Sequence, residues 1–255
     1  MASTFVHRLF PNTKRIDFFS NLQNNVSTLI YGAMLMTTAM WAVHDYRDWL
    51  YYGTGGTPPT IGGWLKMNKL RVVLAFNYLC GDDLRDPSTL PRMGPQYLKS
   101  LTVRPGGHPS LRPRTLPQRQ FSETIEPRAR EVLIGLMKHL HSQYSDILRL
   151  SLSNAEGGAA DAIYARPESP ACNPEAQKVG FEIAHTHPED NSLHMLLSPA
   201  DARAVLEAGW GRRFADPSSV PPGWIMVYAP RDLEEVNLVR RMVEAAIRWT
   251  TGADI

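Results

Sequence analysis

Residues 26–43 (VSTLIYGAMLMTTAMWAV) run for 18 positions without a single charge. A helix of that length is about 27 Å long at ~1.5 Å per residue. That nearly matches the roughly 30 Å hydrocarbon core of a bilayer. Tyr31 and Trp41 sit near its ends, and Tyr46, Trp49, Tyr51 and Tyr52 follow, the arrangement of an interfacial aromatic belt. No small-residue cleavage site clearly follows the run, so a retained anchor fits better than a removed signal peptide. The competing reading is a buried helix of a soluble domain, and Ser27, Thr28, Thr37 and Thr38 weaken the span. Arg8, Lys14 and Arg15 before the run favour a cytosolic N-terminus. Lys66, Lys69, Arg71 and Arg85 behind it pull the other way, so the sequence leaves the orientation open.

The rest of the chain divides by charge. The net +2 over 255 residues splits into +1 over 1–50, +7 over 51–120 and −6 over 121–255. A basic segment of this size points to an anionic surface, and next to an anchor a lipid surface explains it better than nucleic acid. With 43% apolar and 20% charged residues, a disordered or collagen-like chain is excluded. Two cysteines, Cys80 and Cys172, exclude a disulfide framework or a Cys-rich zinc module.

Residues 53–63 (GTGGTPPTIGG) form a turn-rich linker. Residues 64–80 mix apolar side chains with three cations, which suits an amphipathic helix on the membrane surface or one packed on the domain. Residues 81–120 are rich in proline and arginine and are expected to wrap as an extended segment. From about 121 the pattern is globular. A helix opens at Glu126-Pro127, with Val132, Leu133, Leu136, Leu140 and Tyr144 as its apolar stripe. Strands are predicted at 147–153 and 162–165, a hairpin at 179–187 and 193–198, and another strand at 224–228. Helices are predicted at 199–208 and from Asp232 to about Trp249. The fold class is α+β, an antiparallel or mixed sheet with packed helices, preceded by an N-terminal transmembrane helix. Four segments follow: a tail over 1–25, the anchor over 26–43, a basic juxtamembrane and wrapping segment over 44–120, and a catalytic domain over 121–255.

His185, His187 and His194 place three of the eight histidines within ten residues. Side chains alternate on a strand, so Phe181, Ile183, His185 and His187 are expected on one face. Pairing His187 with His194 brings all three rings together, whereas a slip of one residue turns His194 away. Three readings stay open: a general-base cluster near neutral pH, a transition-metal site, and a hydrogen-bonded strand end. His187-Pro188 followed by Ser198 and Asp201 also resembles the JAMM metalloprotease pattern. The nine residues between Pro188 and Ser198 are too many for that family's usual gap.

Three further sites stand out. Gly209-Trp210-Gly211-Arg212-Arg213 allows a tight turn and close approach. Tyr228-Ala-Pro-Arg231 delivers an arginine at a strand end, suited to a carboxylate or enolate oxygen or else to Asp232, Glu234 or Glu235. Arg119 lies in Pro117-Gln-Arg-Gln120.

Together these motifs resemble the fungal luciferase family. The resemblance rests on Glu182-Ile-Ala-His-Thr-His187, Leu193-His194, Asp201, Val205 through Arg213, Pro221-Pro-Gly-Trp224, Tyr228-Ala-Pro-Arg231, Glu234-Glu235, Val243 through Ile247, and Pro117 through Gln120. It covers about 100–250, most closely 181–249, and is loose over 121–180; Pro188 and Asn191 depart from the expected histidine loop. The resemblance implies a membrane enzyme of the endoplasmic reticulum that oxidises 3-hydroxyhispidin, a styryl-pyrone, with molecular oxygen. A cyclic peroxide then loses CO2 and leaves excited caffeylpyruvate, which emits light. The alternatives are a non-luminous relative acting on another pyrone or phenolic, and a three-histidine metal enzyme. The expected partners are the pyrone, O2 and membrane lipid, with no nucleic acid. O2 is a co-substrate, and the resemblance implies a cofactor-independent oxygenase with no cofactor and no metal. For such chemistry His185 or His187 serves as base with His194 orienting it, and Arg213 and Arg231 stabilise charge. Arg119, Glu182, Trp210, Trp224 and Tyr228 are the expected substrate-binding residues, the aromatic ones as walls for a flat pyrone.

Overall fold

The computed structural model describes residues 12–112, 116–168 and 171–255, with side chains from residue 25 onward. The first eleven residues of the expected tail lie outside the described residues. Two compact units are present, one ending at Tyr51 and the other running from Tyr52 to Ile255.

The first unit is one helix, α1 (Asn12–Tyr51). Its stretch Asn25–Tyr51 is long and apolar enough to cross a membrane. Leu29, Leu35 and Met40 are 72–73% exposed, so they are not core residues of a soluble domain. Apolar surface of this extent calls for a cover. Thr37 does not oppose the span, because its Oγ1 donates to Ala33 O within the helix at 2.8 Å. A hydroxyl satisfied by its own backbone carries little cost in an apolar medium.

The second unit begins with α2 (Ile61–Leu79), capped by Thr60, whose Oγ1 accepts from Gly63 N at 3.1 Å. Val72, Phe76 and Leu79 are exposed, so α2 presents apolar surface outward. After a short 3-10 turn at Pro87–Thr89 the described residues form no helix or strand until α3 (Pro127–Gln143). The sheet then builds from β1 (Leu148–Leu152), β2 (Asp161–Ala165), β3 (Glu182–Thr186), β4 (Leu193–Leu196), β5 (Gly211–Arg213) and β6 (Trp224–Val227). The strand order is β1-β2-β3-β4-β6-β5, and every pairing is antiparallel. Helices α4 (Pro199–Glu207) and α5 (Leu233–Thr251) complete the unit.

One face of the sheet is the apolar core. Leu148, Ile163, Leu193, Met195, Ile225 and Val227 pack there against the stripes of α3 (Leu133, Leu136, Met137, Leu140) and α5 (Val239, Met242, Val243, Ala246). Each fully buried aliphatic side chain of this kind contributes about 1.5–3 kcal/mol. The opposite face carries the histidines and is covered by irregular chain.

Among the described residues, β5 is the one strand the sequence did not announce. It follows Gly209 (φ 78) and Trp210, and three residues give no alternating pattern to read. The hairpin strand also starts later than expected. Pro174–Val179 forms a 3-10 turn, and Gly180 and Phe181 adopt left-handed backbone before β3 begins at Glu182.

The expected wrapping segment is anchored at defined points. Asp201, buried on α4, accepts from Leu98 N at 2.9 Å and Tyr97 N at 3.2 Å. Ser198 Oγ donates to Pro95 O at 2.6 Å while accepting from Asp201 N at 3.0 Å. Ser198 and Asp201 thus cap a helix and fasten a strap, and the metalloprotease pattern has no counterpart here. Further along, Trp210 Nε1 donates to Thr102 O at 2.6 Å, and Ala229 N donates to Gln120 Oε1 at 2.9 Å. This strap brings Gln118 and Arg119 over the histidine face.

Candidate functional site

The hairpin register decides where the histidines go. His185 sits opposite His194, and His187 N donates to Ser192 O at 2.8 Å. This differs by two residues from a His187–His194 pairing. A shift of two preserves the face, so all three rings still converge. Asn191 takes positive φ (62°) in the turn between the strands, a conformation asparagine tolerates better than most residues.

Alternation does not hold along all of β3. The β2–β3 register slips between Ile163 and Tyr164, so Ala162 faces His185 while Tyr164 faces Glu182. The irregularity brings Glu182 onto the imidazole face and leaves Ile183 in the apolar core. The shared face expected for Phe181, Ile183, His185 and His187 is therefore corrected: only the two histidines of that set share it.

His185 Nε2 lies 3.0 Å from His187 Nε2 and 3.3 Å from His194 Nδ1. His187 Nε2 lies 3.2 Å from His194 Nδ1. Glu156 Oε1 approaches these three nitrogens at 3.3, 3.5 and 3.9 Å. The cluster is closed off from solvent, with each imidazole at most 2% exposed.

Each ring nitrogen that points away from the centre has an acceptor. His185 Nδ1 meets Glu182 Oε1 at 2.5 Å. Glu182 is held in turn by Ser153 Oγ at 2.7 Å and Tyr164 Oη at 2.9 Å. His187 Nδ1 meets Ser192 Oγ at 2.7 Å, and that hydroxyl donates to Asp190 Oδ1 at 2.8 Å. His194 Nε2 meets Gln118 Oε1 at 3.4 Å, and the Gln118 amide nitrogen donates to Arg213 O at 3.1 Å. Arg119 clasps Glu156 with both terminal nitrogens.

The charges of the site follow from burial and pairing. Burial works against an ionised Glu156, but His185, His187 and Arg119 outweigh it and hold the carboxyl well below its usual range. Burial likewise works against a charged His185, and hydrogen bonds to Glu156 and Glu182 overcome it, raising the group to about 8. His187 is driven down to about 3 by burial and the Arg119 cation. His194 is held well below its usual value by burial and by its two histidine neighbours.

The remaining sequence candidates scatter. Trp224 lies against the cluster, its ring 5.9 Å from His185 and 6.1 Å from His194. Trp210 and Tyr228 instead flank Arg104, whose guanidinium stands 5.7 Å from each ring. Arg213 is bound to Asp82 and to Asp83 O. Arg231 is bound to Glu235 and to Pro105 O. Arg119 and Glu182 contact the histidines and their carboxylate neighbours, where they hold protein groups in place.

Sequence reasoning missed Glu156, Gln118, Ser192, Asp190 and Arg212. Gln118 lay inside a motif already singled out for its arginine. Glu156 sat in a turn, Asn154–Gly158, with no local signal of chemistry. Adjacent arginines at 212 and 213 look alike in the sequence, and strand pairing decides between them. Arg212 faces Met226, which faces His194, so the three share one row across β5, β6 and β4. Phe214, two residues on, meets His194 edge-on at 5.3 Å.

Residues 180–246 match the family model described as the luciferase domain. A luciferase of Neonothopanus nambi is 28% identical over 249 residues, covering 91% of each chain. A luciferase of Armillaria ostoyae is 29% identical over 263 residues, covering 95% of this chain and 96% of the relative. A third, from Armillaria gallica, is 29% identical over 222 residues, covering 82% and 81%. The chain is similar to these fungal luciferases along most of its length. No solved structure matches it. The luciferase-domain segment contains all three histidines, Arg212 and Trp224, whereas Gln118, Arg119 and Glu156 precede it. The similarity supports an enzyme with luciferase-type oxygenase chemistry.

Proposed function

We propose that the chain oxidises 3-hydroxyhispidin, or a closely related pyrone, with O2 at the histidine cluster. The observation that carries this reading is the convergence of three buried imidazoles on one point inside the segment that matches the luciferase domain. Oxygen reacts slowly with a neutral enol and faster with its enolate, so the site must favour loss of the enol proton. The enolate carbon then supplies electrons to O2. Two C–O bonds form, one to each oxygen atom, and the O–O bond, the ring C–C bond to the lactone carbon and one ring C–O bond at the lactone oxygen break, the enol proton returning to the product. The lactone carbon leaves as CO2, and caffeylpyruvate remains. The pyrone is the reductant and O2 the oxidant, so no organic cofactor or external electron donor is required. Burial suits this sequence, because water would reprotonate the enolate and quench an excited product.

Trp224 and Phe214 supply flat walls beside the imidazoles. Arg212 supplies positive charge on the same sheet face, about 10 Å from His194 at ~4.8 Å per strand. Its Nε is buried without a hydrogen-bond partner. In this reading Arg212, rather than Arg213 or Arg231, meets an anionic oxygen of the substrate. Access for the pyrone requires the cover formed by Gln118–Gln120, the 153–158 turn or Phe214 to part. Helix α1 anchors the chain in a membrane of the endoplasmic reticulum, and the outward apolar side of α2 rests on lipid, where an apolar substrate collects.

The deciding experiment adds 3-hydroxyhispidin to the full-length chain in air. Light and caffeylpyruvate are expected; a folded chain that yields neither defeats the proposal, and caffeylpyruvate without light identifies a non-luminous oxygenase. Arg212→Met is expected to lower kcat/KM about 10²-fold, the order seen for loss of one charge-stabilising donor. Arg213→Met, which removes a cation already bound to Asp82, should stay within about threefold of the parent. Equal losses in the two variants would remove Arg212 from the site.

A further inference from the structure

The hydrogen bonds around the three imidazoles fix their tautomers. Glu182 is an acceptor toward His185 Nδ1, with Oε1 at 2.5 Å. Ser192 Oγ gives its own hydrogen to Asp190, so it accepts from His187 Nδ1. Gln118 commits its amide nitrogen to Arg213 O, which turns Oε1 toward His194 Nε2. In the neutral rings each outward nitrogen therefore carries its hydrogen, and each inward nitrogen presents a lone pair.

Three lone pairs then face one another at 3.0, 3.2 and 3.3 Å, with Glu156 Oε1 beside them. One proton can bridge one of these pairs and leaves the third nitrogen without a donor. A cation at the common point satisfies all four atoms at once. The spacing also suits coordination. Two nitrogens bound at about 2.0–2.1 Å to one ion stand about 2.9 Å apart at a right angle and about 3.4 Å apart at the tetrahedral angle. The three nitrogen–nitrogen separations fall within that interval, and Glu156 Oε1 stands slightly wider at 3.3, 3.5 and 3.9 Å. The surroundings have the form usual for metal-bound histidine, in which the second ring nitrogen donates to a carboxylate, hydroxyl or amide oxygen. Arg119 holds Glu156 by donating to both carboxylate oxygens, to Oε1 at 3.1 Å and to Oε2 on the far side.

We propose that His185 Nε2, His187 Nε2, His194 Nδ1 and Glu156 Oε1 hold one divalent first-row transition-metal ion. Three imidazoles with one carboxylate select ions such as iron, cobalt, nickel, copper or zinc over magnesium or calcium, which take oxygen ligands. The site does not depend on the pyrone reading, although a dication there supplies the positive charge that an enolate needs. The sequence alone offers the three histidines but not the fourth ligand, because Glu156 lies 29 residues before His185.

The test uses the full-length chain without a histidine tag, purified in detergent with no chelator. Elemental analysis is expected to find about one equivalent of a first-row ion per chain, removable by dialysis against a chelator. Titrating the stripped chain with Co2+ alone is expected to produce visible d–d bands that stop growing at one equivalent. His187→Ala and Glu156→Gln should lose or shift those bands, while His139→Ala, an exposed histidine on α3, should leave them unchanged. A folded parent chain that purifies without such an ion and gives no Co2+ bands overturns the proposal, as does a band set that survives His187→Ala. Because the parent chain decides by itself, a variant that fails to fold leaves the test intact. Metal without light or product would defeat the pyrone reading alone, and light without metal would defeat the ion alone.

Discussion

Replacing His187 with alanine is expected to lower pyrone-dependent oxygen uptake and light emission by about 10³-fold, within the usual range for a residue that handles the reacting proton or its charge. His187 is the member of the cluster that joins the others. Its Nε2 faces both His185 and His194, and its Nδ1 ties the cluster through Ser192 to Asp190. Removing the ring takes away one nitrogen at the centre and leaves a void between the other two. The stability cost is expected to be about 2–3 kcal/mol, from one lost buried hydrogen bond and a partly filled cavity. A loss of that size leaves most of the protein folded, so the fall in turnover is not explained by unfolding. Oxygen uptake, product and far-ultraviolet circular dichroism measured on the same sample separate the two effects. A folded variant retaining more than a tenth of the parent activity would place the chemistry elsewhere.

Gly223→Ala is the substitution expected to harm the fold most. A Cβ at this position would stand 1.8 Å from Leu197 O and 3.0 Å from Leu197 C. Both atoms are backbone, so no side-chain rotation relieves the clash. Gly223 O also accepts from Leu197 N at 3.0 Å, the bond that closes the β4–β6 pairing beyond Leu196 and Trp224. The strands must separate or shift, which is expected to cost at least about 3 kcal/mol, in the range of severe core disruption. For a unit of this size that lowers Tm by about 6–12 °C. Gly135 in α3 provides the contrast, since nothing lies within 4 Å of a Cβ built there. Alanine at 135 should leave Tm unchanged or raise it, because helix interiors favour alanine over glycine. Thermal unfolding of the two variants checks both expectations, and a Gly223→Ala chain as stable as its parent would show that the β4–β6 end is free to adjust. Because Trp224 follows Gly223 and lies beside His185, the same shift should also reduce turnover.

Much of the fold was legible from local pattern. The apolar stripe of α3, the alternating residues of β1, the Ser198 and Asp232 caps and the uncharged run inside α1 each report on a few neighbouring residues. Local signals of that kind are set by helix and strand periodicity and by backbone groups left unpaired at helix ends. Where the pattern failed, a longer-range constraint had taken over. Strand β5 exists because Gly211 lets the chain approach β6, where a Cβ would stand 2.4 Å from Met226 O. Glu182 joins the imidazole face because the β2–β3 register slips, which no alternation within β3 foretells.

The candidate site divides in the same way. The sequence by itself determined that three histidines would lie close together, since two strands and a short turn hold them within ten residues. Parity then restricted His194 to one of two faces. The tertiary structure decided everything that gives those rings a chemistry. It chose the register and brought Gln118 and Arg119 over them on an irregular strap. It also delivered Glu156 from a turn and placed Arg212, not Arg213, on their face. The physical reason is that a buried imidazole takes its tautomer, charge and ligand capacity from whichever groups surround it. Here Glu182 and Ser192 are local, whereas Glu156 and Gln118 come from parts of the chain 29 and 76 residues away.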